Sequence, residues 1–248
     1  MSDLQHPLSR SFEDIAELYE RTRPSYPPAV VDWLAEQLGI DATATVLDLG
    51  AGTGKLTRAL IQRGAHVIAV EPGPEMLAQL QRVVPEAEAI LGSAEEIPLP
   101  TDAVDVVVCG QSFHWFRIDE ALPEIRRVLR TGGGLGLIWN LRHPDDPLQN
   151  EITELLGPLA PSGHAHEQSY AAAFVHEALN DVTSHVVSFE EELDADAVVE
   201  RIASISFVAA ASEARRRDLE LELRALVAAR GGRAAFRYVT EAYVTFAV

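Results

Sequence analysis

The stretch VLDLGAGTGKLTRAL, Val46 to Leu60, decides the fold. An apolar run leads into glycines at every second position, Gly50, Gly52 and Gly54, and a helical pattern starts directly behind them. A glycine turn between a strand and a helix brings a ligand close to the backbone. The question is which ligand.

A phosphate loop of the form G-x-x-x-x-G-K-[ST] fails on three counts. Gly50 and Gly54 are one residue too close, Leu49 stands where the first glycine belongs, and Lys55 is followed by Leu56 with no hydroxyl for magnesium. The dinucleotide fingerprint G-x-G-x-x-G fails on its third glycine, because position 55 is Lys. The turn and the close backbone approach remain, and the surroundings must say what they serve.

Two carboxylates supply the context. Asp48 lies inside the first strand, where a core strand carries apolar side chains, so it must be paired, orient the loop or meet a cationic ligand group. Glu71 ends the second strand, in VIAVEPG, where a ribose-binding acid is expected. Such an acid accepts from both ribose hydroxyls and repels a 2′-phosphate.

Outward from this stretch, strand and helix patterns alternate from about residue 45 to 140, which argues for a parallel sheet covered on both faces. Strands are expected at Thr45–Leu49, His66–Glu71, Ala87–Leu91, Val104–Gly110 and Leu135–Asn140. Helices are expected over GKLTRALIQRG, over PEMLAQLQRVV started by Pro74, and over IDEALPEIRRVLRTGG closed by its glycines. Residues 11–38 read as two helices around a proline-rich turn. Beyond Asn140 the pattern is mostly helical, then a strand at Thr183–Leu193, a helical pair and a strand-like C-terminus. No repeat or linker divides the chain, so residues 1–248 form one domain: a helical cap (1–40), a core (41–140) and a C-terminal part (141–248).

The quoted stretch, with VIAVEPGPEML, AILGSAEEIPLPTDAVDVVVCGQSFHWF and EIRRVLRTGGGLGLIWN, resembles the class I S-adenosylmethionine-dependent methyltransferases. More narrowly it is similar to the small-molecule branch that includes the trans-aconitate-type and ubiquinone-biosynthesis-type enzymes. The resemblance covers residues 10–140 well and the rest loosely. It implies an α/β Rossmann-like sheet of seven strands, mostly parallel with the last antiparallel, helices on both faces and helical additions at the N-terminus and after the fifth strand.

By the same resemblance, Asp48, Gly50, Ala51, Gly52, Thr53 and Gly54 form the cofactor loop, and Glu71, with Pro72 behind it, is the ribose ligand. Met76 packs either near the adenine, where a soft side chain suits a flat ring, or in the plain helix core. The loop after the third strand usually carries Asp before Ala; here Ser93 stands before Ala94 and Glu95, so a serine oxygen or a carbonyl must replace the carboxylate. Gln111 and Ser112 sit by the methionine end. ELYERTRPSYP resembles a cap segment, in which Tyr19 and Arg23 reach the methionine carboxylate and Tyr26 closes the mouth, or else all three are surface helix residues of no special role. His114 is either a general base or a residue that caps or packs at the start of the next helix, Trp115 and Phe116 line either the acceptor pocket or the core, and Asn140 and Arg142 lie close by.

Composition sets the outer limits. A formal net charge of −18 disfavours nucleic acid and anionic membrane partners. No secretory signal is legible and the single cysteine, Cys109, precludes an internal disulfide, so a cytoplasmic protein is expected. The alternating His164, His166 and Glu167 lack the spacing of a metal site, and no metal is expected. Two rivals stand beside methyl transfer to a small molecule: a nicotinamide-dependent oxidoreductase, and a protein that binds the cofactor without catalysis. The oligomeric state is not legible.

Overall fold

The structure, a computed structural model, describes residues 16–157, 159, 175 and 178–246; the His164, His166 and Glu167 cluster lies outside them. In chain order the core elements are α1 (Ala16–Thr22), α2 (Pro28–Leu38), β1 (Thr45–Leu49), α3 (Lys55–Ile61), β2 (His66–Glu71), α4 (Pro74–Val83), β3 (Glu88–Leu91), β4 (Val104–Gly110), α5 (Ile118–Val128) and β5 (Leu129–Arg142). Then follow α6 (Pro147–Leu156), β6 (Thr183–Asp194), α7 (Ala195–Ala203), α8 (Ser206–Ala209), α9 (Glu213–Ala228) and β7 (Arg233–Thr245). The sheet has seven strands in the order β3-β2-β1-β4-β5-β7-β6. Strands β1 to β5 are parallel, and β7 is antiparallel to both of its neighbours.

Alternation explains how the sheet is covered. Leu47, Leu49, Val107 and Leu137 point into one apolar layer under α5, while Val46, Val106, Val108 and Ile138 point into the other, against α2 and α3. Strand order reverses between β1 and β4, so their C-terminal ends open a crevice, the usual ligand position in such sheets.

The fifth strand corrects the sequence expectation. The α5 helix stops at Val128, before the glycines, and β5 begins at Leu129 rather than Leu135. Leu129 is buried and extended (φ −70°, ψ 135°) and pairs with Val104. Arg130 then fixes the segment by donating to Asp105 Oδ1 at 2.7 Å and to the Ala103 carbonyl at 2.8 Å. The glycines serve a register shift between Val104 and Val106, where a Cβ on Gly133 would lie 2.7 Å from the Asp105 carbonyl. Tertiary pairing overrides the helix-closing signal.

Strands β6 and β7 run well past the sheet. The last β5 residue, Arg142, pairs with Tyr238, and β7 continues back to Arg233 opposite Asp194. This overhang carries its own apolar cluster, built from Leu148, Ile152, Val198, Leu219, Leu223 and Phe236. The resulting lobe of α6 to α9 stands on the C-terminal side of the sheet. No helix among the described residues is long and apolar enough to cross a membrane.

Candidate active site

The glycine loop is held in a shape that only glycine adopts easily. Gly50, Gly52 and Gly54 have φ of +70°, +57° and +86°. A Cβ on Gly50 would sit 2.6 Å from the Ser112 Cβ, and one on Gly54 would sit 2.9 Å from Leu80 Cγ. Among the described residues, chain neighbours aside, nothing lies within 4 Å of that position at Gly52, which leaves the middle of the loop open.

Glu71 organises this loop from the end of β2. Its Oε2 accepts from the Gly52 N–H at 2.8 Å and its Oε1 from the Gly73 N–H at 2.9 Å. The Gly50 and Ala51 N–H groups both donate to the Val70 carbonyl, and Gly54 donates to Ala51. Each Glu71 oxygen has a second lone pair, so accepting backbone bonds leaves capacity for a diol.

Asp48 is 1% exposed. The Thr57 hydroxyl donates to its Oδ2 at 2.6 Å, while Oδ1 is buried without a partner among the described residues. Burial pushes its carboxyl up to about 6, with the Thr57 bond opposing the rise. An orphaned acceptor beside an open glycine loop suits a cationic group.

On the other side of the crevice, Ser112 is buried and donates to the Leu49 carbonyl at 2.8 Å, tying the end of β4 to the start of the loop. Gln111, with φ +59°, donates through Nε2 to the Asn140 carbonyl at 2.9 Å. Asn140 reaches the carbonyls of Pro24 and Ser25 and accepts from Thr240 Oγ1 at 2.7 Å, joining the segment after α1 to β5 and β7. Tyr26 lies against Gly110, where a Cβ would meet its hydroxyl at 2.7 Å. Arg142 donates to Thr153 Oγ1 at 3.0 Å, linking β5 to the lobe.

His114 is exposed in a 3-10 turn (Phe113–Trp115). Its Nδ1 accepts from the Trp139 indole N–H at 3.1 Å, which places the proton of the neutral ring on Nε2. In this tautomer the ring's lone pair is already engaged, and Nε2 is a donor rather than a base. Trp115 packs on the His114 ring at 4.8 Å between centroids, and Phe116 packs on buried Phe113 at 5.8 Å.

Other expected contacts sit around the rim. Met76 is buried in the first turn of α4 and Pro72 is half-buried just before it. Ser93 forms an isolated backbone bridge with Glu96, and Ala94 is buried in the apolar layer under α5. Glu95 accepts from the Arg117 N–H at 2.9 Å, so its carboxylate is used at the start of α5. Arg23 is half-buried after α1, and the Tyr19 side chain lies outside what is described. Glu20 was not legible as part of the site, yet the Thr53 hydroxyl donates to it at 2.6 Å. It lies inside the cap segment ELYERTRPSYP beside Tyr19, but nothing in its own spacing singles it out there.

Residues 47–137 match the methyltransferase domain family. The chain is 38% identical over 249 residues to an uncharacterized methyltransferase of Mycobacterium tuberculosis, covering 100% of this chain and 98% of that protein. It belongs to the methyltransferase family. An uncharacterized methyltransferase of Schizosaccharomyces pombe is 45% identical over 159 residues, 61% of this chain and 63% of that one. Among solved structures, a protein of Anaeromyxobacter dehalogenans assigned as a type II methyltransferase superposes with a TM-score of 0.66 at 26% identity, covering 90% of this chain and 96% of that chain. The Haemonchus contortus phosphoethanolamine N-methyltransferase 2, in complex with S-adenosylhomocysteine, shares the fold alone, with a TM-score of 0.54 at 15% identity over 99% of this chain and 60% of that chain.

The cofactor that the sequence resemblance implies for this methyltransferase is S-adenosylmethionine. Its residues fit that cofactor: the glycine loop is open at Gly52, and the orphaned Asp48 Oδ1 suits a cation. The cofactor supplies a methyl group already activated on a sulfonium.

Proposed function

We propose that the methyltransferase acts on a small-molecule acceptor lodged between the C-terminal ends of β4 and β5 and the overhanging lobe. The observation that carries this reading is the lobe itself, a separate apolar cluster raised on the extensions of β6 and β7 on the cofactor side of the sheet. Asp48, the glycine loop and Glu71 hold the cofactor at one wall, with Glu71 as the ribose ligand. His114, Trp115 and Asn140 face the acceptor at the other.

Catalysis in this reading is chiefly positional. Alignment for an in-line displacement is worth about 7–11 kcal/mol when the near-attack geometry is held. His114, with Nδ1 occupied by Trp139, donates to the acceptor from Nε2. That favours an acceptor atom arriving without a proton to lose, such as a carboxylate oxygen, over an alcohol that needs a general base.

Labelled S-adenosylmethionine incubated with protein and fractionated metabolites tests both parts. The product should be a small molecule heavier by one methylene, and mild alkali should release its label as methanol. Label confined to macromolecules would overturn the reading, and an alkali-stable small product would overturn the carboxylate assignment alone.

A further inference from the structure

Three consecutive residues at the end of α1 join the cofactor loop to the lobe. On the loop side, the Glu20 carboxylate accepts from Thr53 Oγ1 at 2.6 Å, lies 3.6 Å from the Lys55 Nζ and pairs with Arg58. Lys55 also donates to the Glu20 backbone carbonyl at 2.6 Å, one of the carbonyls a helix end leaves without an internal partner. The side chains of Glu20 and Lys55 are each 14% exposed, and Thr53 is 1% exposed. Burial lowers the Lys55 pKa, a tendency that its carboxylate neighbour opposes.

On the lobe side, Arg21 pairs with Glu200 at 3.0 Å, an exposed contact that contributes little. The next contact is buried. Arg201 of α7 donates through Nε to the Thr22 carbonyl at 2.6 Å and through Nη1 to the Tyr238 hydroxyl at 2.9 Å, and it pairs with Glu191. Thr22 and Arg201 are 5% and 8% exposed. One short helix therefore bears on the cofactor loop through Glu20 and on α7, β6 and β7 through Thr22.

We propose that residues 20–22 are a strap that transmits cofactor occupancy to the C-terminal lobe, with Glu20 and Arg201 as its positioning residues. Thr53, bound to Glu20, directly follows the open position at Gly52. A ligand that fixes the loop fixes Thr53, hence Glu20, hence the Thr22 carbonyl on which Arg201 is docked. The lobe is ordered as a consequence, so the acceptor site is completed when the cofactor is in place. The functional meaning rests on reading the lobe as the acceptor side; the coupling itself does not.

The chain offers a clean probe, because Lys55 is its only lysine. Acylation of that amine by a water-soluble ester, read by mass spectrometry, reports whether the Glu20 contact is closed. S-adenosylhomocysteine should slow Lys55 acylation at least fivefold and protect backbone amides in α7 from hydrogen exchange as well as those in the loop. In Glu20→Gln, loop protection should persist while α7 protection falls at least threefold; Arg201→Lys, which keeps the charge, should do the same from the other end. Binding by calorimetry with no α7 protection, or α7 protection unchanged in Glu20→Gln, overturns the coupling. No binding by calorimetry overturns the cofactor site together with the strap.

Discussion

Trp139 donates its indole N–H to His114 Nδ1 at 3.1 Å, from the upper part of β5 to the 3-10 turn behind β4. This bond selects one tautomer of a histidine whose position alone would suggest a general base. A base contributes about 10²–10⁴-fold, whereas one neutral hydrogen bond is worth about 0.5–1.5 kcal/mol.

His114→Ala should therefore lower kcat by roughly tenfold, with S-adenosylhomocysteine affinity unchanged. Nitrogen NMR should find the His114 proton on Nε2, and Trp139→Phe should populate the other tautomer. A loss of turnover beyond a hundredfold in His114→Ala would restore the base.

Glu71→Gln should behave as a non-conservative change. Both Glu71 oxygens accept from backbone N–H groups, those of Gly52 and Gly73, and an amide presents a donor to one of them. Loss of a charge-assisted contact predicts roughly 1.5–3 kcal/mol weaker S-adenosylhomocysteine binding, measurable by calorimetry. The melting temperature should also fall, because the acid itself holds the loop through the Gly52 and Gly73 N–H groups.

Gly50→Ala should abolish cofactor binding while leaving the helices in place. The added methyl would sit 2.6 Å from Ser112 Cβ at a φ of +70°, so either the loop or the end of β4 must move. Circular dichroism alongside calorimetry separates this from unfolding.

Asp48 gives a pH dependence with a definite sign. Its carboxyl is raised from 3.8 to about 6 in the ligand-free protein, and a cationic amine beside Oδ1 would lower it again. S-adenosylhomocysteine affinity should then be full above about pH 7 and decline as pH falls through 6, with a proton released on binding near pH 6. Calorimetry in buffers of different ionisation heat reads that proton directly. For the free protein the raised value means that the Asp48 contribution to stability is complete below pH 3.8 and is lost as pH rises through about 6.

Much of the cofactor half was legible because its signals are local. Gly50, Gly52 and Gly54 announced a tight turn, and all three have left-handed backbone; Asp48 and Glu71 were conspicuous as acids at strand positions. Short, nearly unbroken apolar runs placed β1 to β4 nearly to the residue, since central parallel strands are buried on both faces. The glycines after α5 misled, because a glycine closing a helix and a glycine relieving a strand register look the same in one dimension.

The sequence by itself determined a glycine-turn α/β sheet and a glycine loop flanked by acids, since each depends on neighbours within a few residues or on a repeating pattern. The methyltransferase family came from the resemblance of its motifs to known sequences. Only the tertiary structure decided what joins these parts. The proton position on His114 is set by Trp139, 25 residues away, and the hold on Thr22 is set by Arg201, 179 residues away. A hydrogen bond carries no periodicity and constrains neither partner's residue type uniquely, so it becomes readable only when folding has brought the two groups to about 3 Å.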